Sequence, residues 1–252
     1  MNRLIFRRIV LGAIAAPLAL GLAACGQGDG ANTGLSGEPI AKVAPPEGQQ
    51  WSEVIAKTAD GGYRMGNPDA PIKLVEFASL TCPHCKHFTE EGGEELRDTF
   101  VASGRVSWEF RNFIMNPLDL TMAMLVRCGS PESFFALTEQ TFTNQQNLVE
   151  AWSANSEATL EAASSQPPAT RYIALAGLAG LPEFYGARGI AVDQAKACLG
   201  DSATAEALVE ATRQQSEKYD ITGTPSFLIN GQNPEANTWP EIKTRLENLG
   251  AR

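Results

Sequence analysis

Two stretches of the chain have the apolar pattern of β-strands, and a helical pattern lies between them. Ile72–Ala78 is a short run rich in apolar and β-branched side chains, which is typical of a buried strand. Val106–Phe113 alternates between apolar and polar side chains, which is the period of a strand. The residues between predict a helix from Cys82 to about Ser103, kinked at Gly92-Gly93 because glycine is a poor helix former. This order predicts a parallel βαβ unit.

The next part of the chain, about residues 115–220, has helical periodicity almost throughout. Asn116-Pro117 and Ser130-Pro131 each combine a capping residue with a proline suited to the first turn of a helix. The predicted helices are Pro117–Cys128, Pro131–Phe142, Gln145–Ala154, Ala169–Ala179, Ile190–Leu199 and one that is capped by Asp201 or Ser202 and ends near Tyr219. Together they predict a helical insertion of about a hundred residues.

Strand character returns near the C-terminus, at Pro225–Asn230. Asn230-Gly231 is the strongest short signal for a hairpin turn, and a helical pattern follows at Pro240–Leu249. Near the start of the predicted domain, Trp51–Thr58 predicts an edge strand. The whole pattern predicts an α/β fold in which a small core carries the helical insertion.

The first fifty residues differ in composition from the rest of the chain. Met1–Ala24 has three arginines near its start and then an apolar run with small residues, the pattern of a secretion signal that is removed. Leu22-Ala23-Ala24-Cys25 resembles a bacterial lipobox, so we expect Cys25 to be lipidated; the alternative is ordinary cleavage, which leaves a free cysteine. Residues 25–50 are rich in Gly, Pro, Ala and Ser, and predict a flexible tether before a folded domain at 51–252.

The chain has 252 residues, of which 43% are hydrophobic, and a net charge of −9. Removal of residues 1–24 takes away three arginines and no acidic residue, so the net charge becomes −12. An acidic protein is a poor partner for nucleic acid, and it is not drawn to a membrane surface by charge. Attachment to a membrane would therefore depend on the lipid.

Cys82-Pro83-His84-Cys85 follows the first predicted strand and begins the predicted helix, which is the usual place of a redox Cys-x-x-Cys motif. Pro83 suits the first helical turn, so Cys82 lies at the helix N-terminus, where free N–H groups and the helix dipole favour an anion. We therefore predict a lowered pKa for Cys82, with His84 adding positive charge. Cys85 lies one turn further along the same face and can close a disulfide with Cys82.

Glu76 lies on the first predicted strand, on the same face as Ile72 and Leu74. A carboxylate buried there would have a raised pKa and could accept protons during disulfide exchange. The alternative is a salt bridge between Glu76 and Lys73 or another base.

Cys128 and Cys198 are the two cysteines that remain, and both lie near the ends of predicted helices. In an oxidising compartment they could form a structural disulfide, which would stabilise the fold by restricting the unfolded chain. The alternative is two separate buried thiols.

These motifs resemble the DsbA family of periplasmic thiol:disulfide interchange proteins, which have a thioredoxin-like fold with a helical insertion. Cys82-Pro83-His84-Cys85 matches the active-site tetrapeptide of the family, and Glu76 occupies the position of its buried acid. Thr224-Pro225, just before the last strand, resembles the cis-proline loop of the family. The resemblance covers about residues 51–252.

The resemblance implies a protein thiol:disulfide oxidoreductase that donates a disulfide to reduced secreted proteins and uses no cofactor or metal. Cys82 would be the nucleophile, Cys85 would resolve the mixed disulfide, and His84 would tune the thiolate. Thr224 and Pro225 would dock the substrate backbone. A membrane redox protein would recycle the enzyme. We expect a periplasmic monomer, anchored through Cys25 or, alternatively, soluble.

Other functions are compatible with the same residues. Thr224 precedes the proline where well-known oxidases of the family have valine, and threonine is commoner in isomerases kept reduced by a membrane partner. Those isomerases have an N-terminal dimerisation domain, for which residues 26–70 are too short and polar. A lipoprotein that carries copper or zinc on Cys82, His84 and Cys85 is a different class, but no second Cys-x-x-Cys follows and the five methionines are scattered. A binding scaffold with vestigial cysteines is the last alternative.

Overall fold

The computed structural model describes residues 37–252, and in this part of the chain five strands form one mixed sheet. The strands are β1 (Ile55–Lys57), β2 (Tyr63–Met65), β3 (Ile72–Ala78), β4 (Val106–Asn112) and β5 (Ser226–Ile229), and their order across the sheet is β1-β2-β4-β3-β5. The predicted α/β class is confirmed. The predicted edge strand at Trp51–Thr58 forms only at Ile55–Lys57, and Trp51–Glu53 is a 3₁₀ turn. β2 has three residues and was not predicted.

The parallel pairing of β3 with β4 confirms the predicted βαβ unit. Leu74 lies opposite Trp108, and Glu76 lies opposite Phe110. β5 is antiparallel to β3 on the other side, with Phe227 opposite Glu76. Neighbouring strands therefore flank both edges of β3. Leu74 and Glu76 on one face and Phe77 on the other have no solvent exposure, whereas Lys73 is exposed.

The connection between β3 and β4 is helix α1 (Pro83–Glu95), which continues as a π-helical segment at Leu96–Val101. The predicted kink at Gly92-Gly93 is wrong, because α1 is regular through both glycines and the change of helix type comes after Glu95. Gly92 has a packing role instead. A Cβ at Gly92 would lie 2.2 Å from Cδ2 of Trp239, so only glycine allows the indole to lie against the helix backbone.

Gly92→Ala is expected to lower the free energy of unfolding by about 2 kcal/mol, because the added methyl group overlaps the Trp239 ring. Gly93→Ala is the matched control: its Cβ would have Thr89 Cγ2 as its nearest neighbour at 3.4 Å, and alanine is better than glycine in a helix by up to about 1 kcal/mol. Urea unfolding of both variants measures the difference. Equal stability of the two variants would contradict the packing role of Gly92.

The helical insertion begins with α2 (Pro117–Val126), which Asn116 caps by accepting a hydrogen bond from the Asp119 N–H at 2.9 Å. Every residue of α2 after Pro117 is buried, so this helix is the core of the insertion. The other helices are α3 (Phe134–Thr143), α4 (Gln145–Ser153), α5 (Glu157–Ser164), α6 (Pro168–Leu178), α7 (Leu181–Gly186), α8 (Val192–Gly200) and α9 (Ser202–Tyr219). α5 and α7 were not predicted, because α5 is short and mostly exposed and α7 has six residues.

The predicted hairpin at the C-terminus is only a turn. Asn230 and Gly231 both have positive φ, 50° and 79°, as the Asn-Gly signal indicates. After the turn, however, the pairing is a single bridge between Ile229 and Gln232. Pro234 follows and has no N–H to donate to a strand ladder. The chain then enters α10 (Trp239–Asn248), which has the predicted helical pattern and a capping box at Thr238.

The segment 37–50 is bound to the domain, so the predicted tether to Gln50 and the predicted domain start near Trp51 are wrong for this part. The Ile40 N–H donates to the Gly250 carbonyl at 2.9 Å, and the Val43 N–H donates to the Ser103 carbonyl at 3.0 Å. The Trp51 indole N–H donates to the Val43 carbonyl at 2.7 Å. The polar composition predicted a free chain, but backbone hydrogen bonds to distant residues hold it. The predicted signal sequence and Cys25 lie outside the described residues.

Within residues 37–252, no helix has the length and apolar character needed to cross a bilayer.

Candidate active site

Cys82 is the N-cap residue of α1, and Pro83 is at the first helical position. β3 ends at Ala78, and a short turn, closed by a 3.1 Å hydrogen bond from the Cys82 N–H to the Ser79 carbonyl, leads into the helix. Cys82 has extended backbone angles, φ −80° and ψ 121°, as an N-cap residue does. The local sequence therefore places this sulfur at the positive end of the helix, beside N–H groups that have no helical partner.

The two active-site sulfurs are both thiols here, and they have different environments. Cys82 is 8% exposed, whereas Cys85 is fully buried. A hydrogen bond from the Cys85 thiol, helped by the Thr224 side chain and by the amides of Cys85 and His84, lowers the pKa of Cys82 to about 5 against the opposing effect of burial. Burial, together with the neighbouring Cys82 sulfur, raises the pKa of Cys85. The lowered pKa of Cys82 has the direction that the helix N-terminus predicted.

His84 and Pro83 are exposed at the start of α1. Within the part of the molecule described, His84 acts on Cys82 through its backbone amide. The sequence predicted that the charge of the His84 imidazole lowers the pKa of Cys82. In the structure the His84 backbone amide contributes to that lowering.

Glu76 is fully buried in β3, and its Oε2 accepts a hydrogen bond from the Trp108 indole N–H at 3.0 Å. Its other oxygen, Oε1, has no hydrogen-bond partner among the described residues. Burial raises the pKa of Glu76 to about 8, with the Trp108 hydrogen bond opposing the rise and the Cys82 charge adding to it. Glu76 does not form the alternative salt bridge with Lys73, because Glu76 is buried and the Lys73 side chain is exposed to solvent.

Thr224-Pro225 is a cis peptide bond, and it lies beside the N-terminus of α1. The Thr224 carbonyl accepts a hydrogen bond from the Cys82 thiol at 3.3 Å. The loop borders an open groove of about 240 Å³, whose lining includes His84, Phe88, Pro225 and Trp239. Cys82 and Thr224, two predicted site residues, are 142 positions apart in the sequence and are in direct contact in the structure.

A comparison with known proteins agrees with this geometry. A family model described as thioredoxin matches residues 58–248. The chain belongs to the thioredoxin family. A solved structure of a protein-disulfide isomerase from Novosphingobium aromaticivorans is similar over 75% of this chain and 97% of that one, with 33% identity and a TM-score of 0.70. Wolbachia pipientis alpha-DsbA1 shares the fold, at 22% identity and a TM-score of 0.60, over 75% of this chain and 90% of that chain.

Curated relatives of this thioredoxin-family chain have names of the same kind. A Rickettsia bellii protein named "Putative protein-disulfide oxidoreductase" is 27% identical over 77% of this chain and 67% of its own length. A Rickettsia felis protein of that name is 25% identical over 71% of this chain and 56% of its own length. The chain thus spans only part of the length of these relatives. The DsbA-like fold and the thiol-disulfide oxidoreductase class are confirmed.

Two buried side chains from the helical insertion hold the turn before Cys82 in this thioredoxin-family site, and the sequence analysis missed both. Asp119 accepts hydrogen bonds from the Leu80 N–H at 2.8 Å and the Met115 N–H at 2.9 Å. Gln145 donates to the Leu80 and Cys82 carbonyls at 2.9 and 3.0 Å. Burial raises the pKa of Asp119 to about 6, although its hydrogen bonds from Met115, Ser79 and Leu80 oppose the rise. Asn116-x-x-Asp119 was a visible capping signal, but nothing local connected it to Cys82.

Cys128 and Cys198 form a disulfide that joins the turn after α2 to α8. Their Cα atoms are 5.8 Å apart, and the bond joins residues 70 positions apart in the sequence. Of the two alternatives, the structure has the bonded pair, which lies in the insertion and not beside Cys82.

In the described part of the chain, no three His, Cys, Asp or Glu side chains converge on a point where they could bind a metal ion. Cys82, His84 and Cys85 therefore do not form such a group.

Proposed function

We propose that this protein is a disulfide oxidase of the cell envelope, which transfers the disulfide of Cys82 and Cys85 to reduced secreted proteins. The observation that carries the proposal is the difference between the two sulfurs. Cys82 has a pKa of about 5 at the helix N-terminus, and Cys85 is buried with a raised pKa. A stable thiolate on Cys82 stabilises the reduced protein, and a stable reduced form makes the disulfide form a strong oxidant.

The first step begins with the Cys82–Cys85 disulfide and a substrate thiolate. The substrate sulfur attacks Cys82 Sγ, the more exposed of the two. A substrate–Cys82 bond forms, the bond between Cys82 and Cys85 breaks, and its electron pair leaves on Cys85. Because burial disfavours the Cys85 thiolate, Cys85 takes up a proton, and the protonated Glu76 carboxyl is the buried acid on the adjoining strand that can supply it.

In the second step a second substrate thiolate attacks the substrate sulfur of the mixed disulfide. The new substrate disulfide forms, and the Cys82 thiolate leaves. A leaving thiol with a low pKa leaves faster, so the low pKa of Cys82 favours release. The substrate loses two electrons, and the protein gains them as two reduced cysteines. A membrane redox protein would then remove these electrons, and no cofactor beyond the cysteine pair is required.

The location in the envelope, with Cys25 as a lipid anchor, belongs to the same proposal. A disulfide between Cys128 and Cys198 supports an oxidising compartment, because such bonds are rare in the cytosol. The lipobox-like residues that end at Cys25 support the anchor. Cells that express the full chain should incorporate labelled fatty acid into it, and Cys25→Ser should not be labelled. Equal labelling of both would reject the anchor.

Isomerisation of wrong disulfides is the second candidate, and Thr224 favours it together with the name of the Novosphingobium aromaticivorans structure. An isomerase attacks existing substrate disulfides and must be kept reduced. The two functions therefore differ in the redox state in which the enzyme works.

Equilibration of the purified protein with glutathione buffers tests the proposal. Alkylation and peptide mass spectrometry count the thiols of the Cys82–Cys85 peptide separately from Cys128 and Cys198. A potential near about −120 mV, as in strong oxidants of this kind, supports the oxidase, and one near about −270 mV, as in thioredoxin, rejects it. Refolding of reduced ribonuclease by the oxidised protein should be faster than recovery of scrambled ribonuclease by the reduced protein. The opposite result would favour the isomerase.

A further inference from the structure

Met115 lies on the loop between β4 and α2, beside the active site. Met115 is 57% exposed, the largest exposed fraction of any large apolar residue in the described part of the chain. Its backbone does not move freely, because its N–H donates to the buried Asp119 carboxylate at 2.9 Å. Its Sδ accepts a hydrogen bond from the Thr224 hydroxyl at 3.3 Å. An exposed thioether is thus held against the residue that contacts Cys82.

The Thr224 hydroxyl has a single hydrogen to donate, and the Met115 sulfur and the two active-site sulfurs compete for it. With Cys82 as a thiol, the thiol donates to the Thr224 carbonyl at 3.3 Å and the hydroxyl donates to Met115. With Cys82 as a thiolate, the same hydroxyl favours the charged sulfur. A stronger acceptor at position 115 would therefore withdraw a donor from the Cys82 thiolate, and a residue with no acceptor would release it.

We propose that Met115 is an oxidation-sensitive residue which controls, through the Thr224 hydroxyl, the hydrogen bonding of the Cys82 sulfur. This inference rests on the proposed function, since it describes regulation of the same redox site. The oxidant is a peroxide. The Met115 sulfur attacks one oxygen of hydrogen peroxide and an S–O bond forms while the O–O bond breaks. The proton on the transferred oxygen passes to the departing hydroxide, and the products are methionine sulfoxide and water. The sulfur loses the two electrons that the peroxide gains.

The sulfoxide oxygen is a much better hydrogen-bond acceptor than a thioether sulfur. It would hold the Thr224 hydroxyl, and the Cys82 thiolate would lose a donor. A less stable thiolate makes the cysteine pair less oxidising. The reaction would be selective among the methionines in the described residues, because Met65, Met122 and Met124 are at most 3% exposed. The proposed enzyme would thus weaken as an oxidant when the compartment contains peroxide.

The test uses the full protein in its disulfide form, so that peroxide cannot reach free active-site thiols. After hydrogen peroxide treatment and desalting, the disulfide is reduced with dithiothreitol, which leaves methionine sulfoxide in place. Titration of ultraviolet thiolate absorbance then gives the pKa of Cys82. We expect peptide mapping to find sulfoxide at Met115, and the pKa of Cys82 to rise by about one pH unit, the effect of losing one hydrogen bond to a charged group.

Met115→Leu is the matched variant, because leucine keeps the size and removes the acceptor. The untreated variant should have a Cys82 pKa slightly lower than wild type, because only the thiol form loses the weak hydrogen bond from Thr224 to Met115, and peroxide should not change it. In Thr224→Val, which lacks the hydroxyl, peroxide should not change the pKa. Sulfoxide at Met115 without a change in the wild-type pKa would overturn the proposal, and so would an unoxidised Met115. Neither outcome depends on the potential or the ribonuclease assays, which test the proposed function separately.

Discussion

Cys85→Ala is expected to accumulate the mixed disulfide between Cys82 and a substrate protein. Replacing Cys85 removes the thiol hydrogen bond that lowers the pKa of Cys82 most, so that pKa rises in the variant. The Thr224 side chain and the amides of residues 84 and 85 still favour the thiolate, and Cys82 is the more exposed sulfur, so it still reacts with substrate disulfides. An adduct that a second substrate thiol does not resolve is released when Cys85 attacks Cys82 Sγ, because Cys85 lies one turn along α1 in hydrogen-bond contact with Cys82. Without Cys85 the adduct persists. Non-reducing electrophoresis with reductant-sensitive bands, followed by mass spectrometry of the Cys82 peptide, measures it.

The control is Cys82→Ala, which retains the buried Cys85 with its raised pKa. A thiol that is not ionised is a poor nucleophile, so this variant should form no adduct, and its oxidation of reduced ribonuclease should fall to the uncatalysed rate. Cys128 and Cys198 remain bonded in both variants and provide an internal check on folding. Adducts on Cys82→Ala but not on Cys85→Ala would reverse the assigned roles.

The elements predicted correctly are those whose signal is local. β3, α1 and β4 have a hydrophobic period, a proline at the first helical turn and enough residues to show both, and they place Cys82 at a helix N-terminus. β2 has three residues, too few to show a period, and pairing with β1 and β4 forms it. Gly92 shows the opposite error, since a residue that weakens an isolated helix is required here by the ring of Trp239.

The sequence predicted which residues lie around Cys82 only in part, and the catalytic roles assigned to them stay predictions. A Cys-x-x-Cys after a strand, a carboxylate on that strand and a Thr-Pro before another strand are all visible in the sequence. Asp119 and Gln145 are not, because their importance comes from backbone groups 39 and 65 positions away that only the folded chain brings to them. Long-range hydrogen bonds of this kind have no local sequence signal. The helical insertion therefore does more than cover the site: it fixes the turn from which Cys82 projects.

Glu76→Gln is expected to remove the decrease in the free energy of unfolding that Glu76 causes as the pH rises towards 8. The folded state raises the pKa of Glu76 to about 8, from 4.5 for a free side chain, so between these values the folded protein holds a proton that the unfolded chain has released. Stability from this group is therefore complete below pH 4.5 and is lost as the pH rises through 8, by up to about 1.4 kcal/mol per pH unit. Glutamine does not titrate, and its amide oxygen can still accept the Trp108 hydrogen bond.

Asp119 and Cys82 also make the free energy of unfolding depend on pH, and their contributions must be distinguished from that of Glu76. Asp119, with its pKa raised to about 6, also lowers stability as the pH rises, but only in the lower part of the range. Cys82, with its pKa lowered to about 5, has the opposite sign and raises stability as the pH rises above that value. In reduced wild type the slopes of Glu76 and Cys82 oppose each other. In the reduced Glu76→Gln variant the slope of Cys82 remains, so stability should increase towards pH 8.

Urea unfolding of the reduced proteins at pH 5 and pH 8 makes the comparison, because Asp119 and Cys82 contribute to both proteins and largely cancel. The variant should gain about 3 kcal/mol relative to wild type between the two pH values. In the disulfide form Cys82 does not titrate, so wild type should lose stability above pH 6 while the variant stays nearly constant.

The same variant should also exchange disulfides more slowly, since Cys85 loses its buried proton donor. A stability difference that is equal at pH 5 and pH 8 would mean that Glu76 keeps an ordinary pKa, and the proton transfer assigned to it would then be wrong.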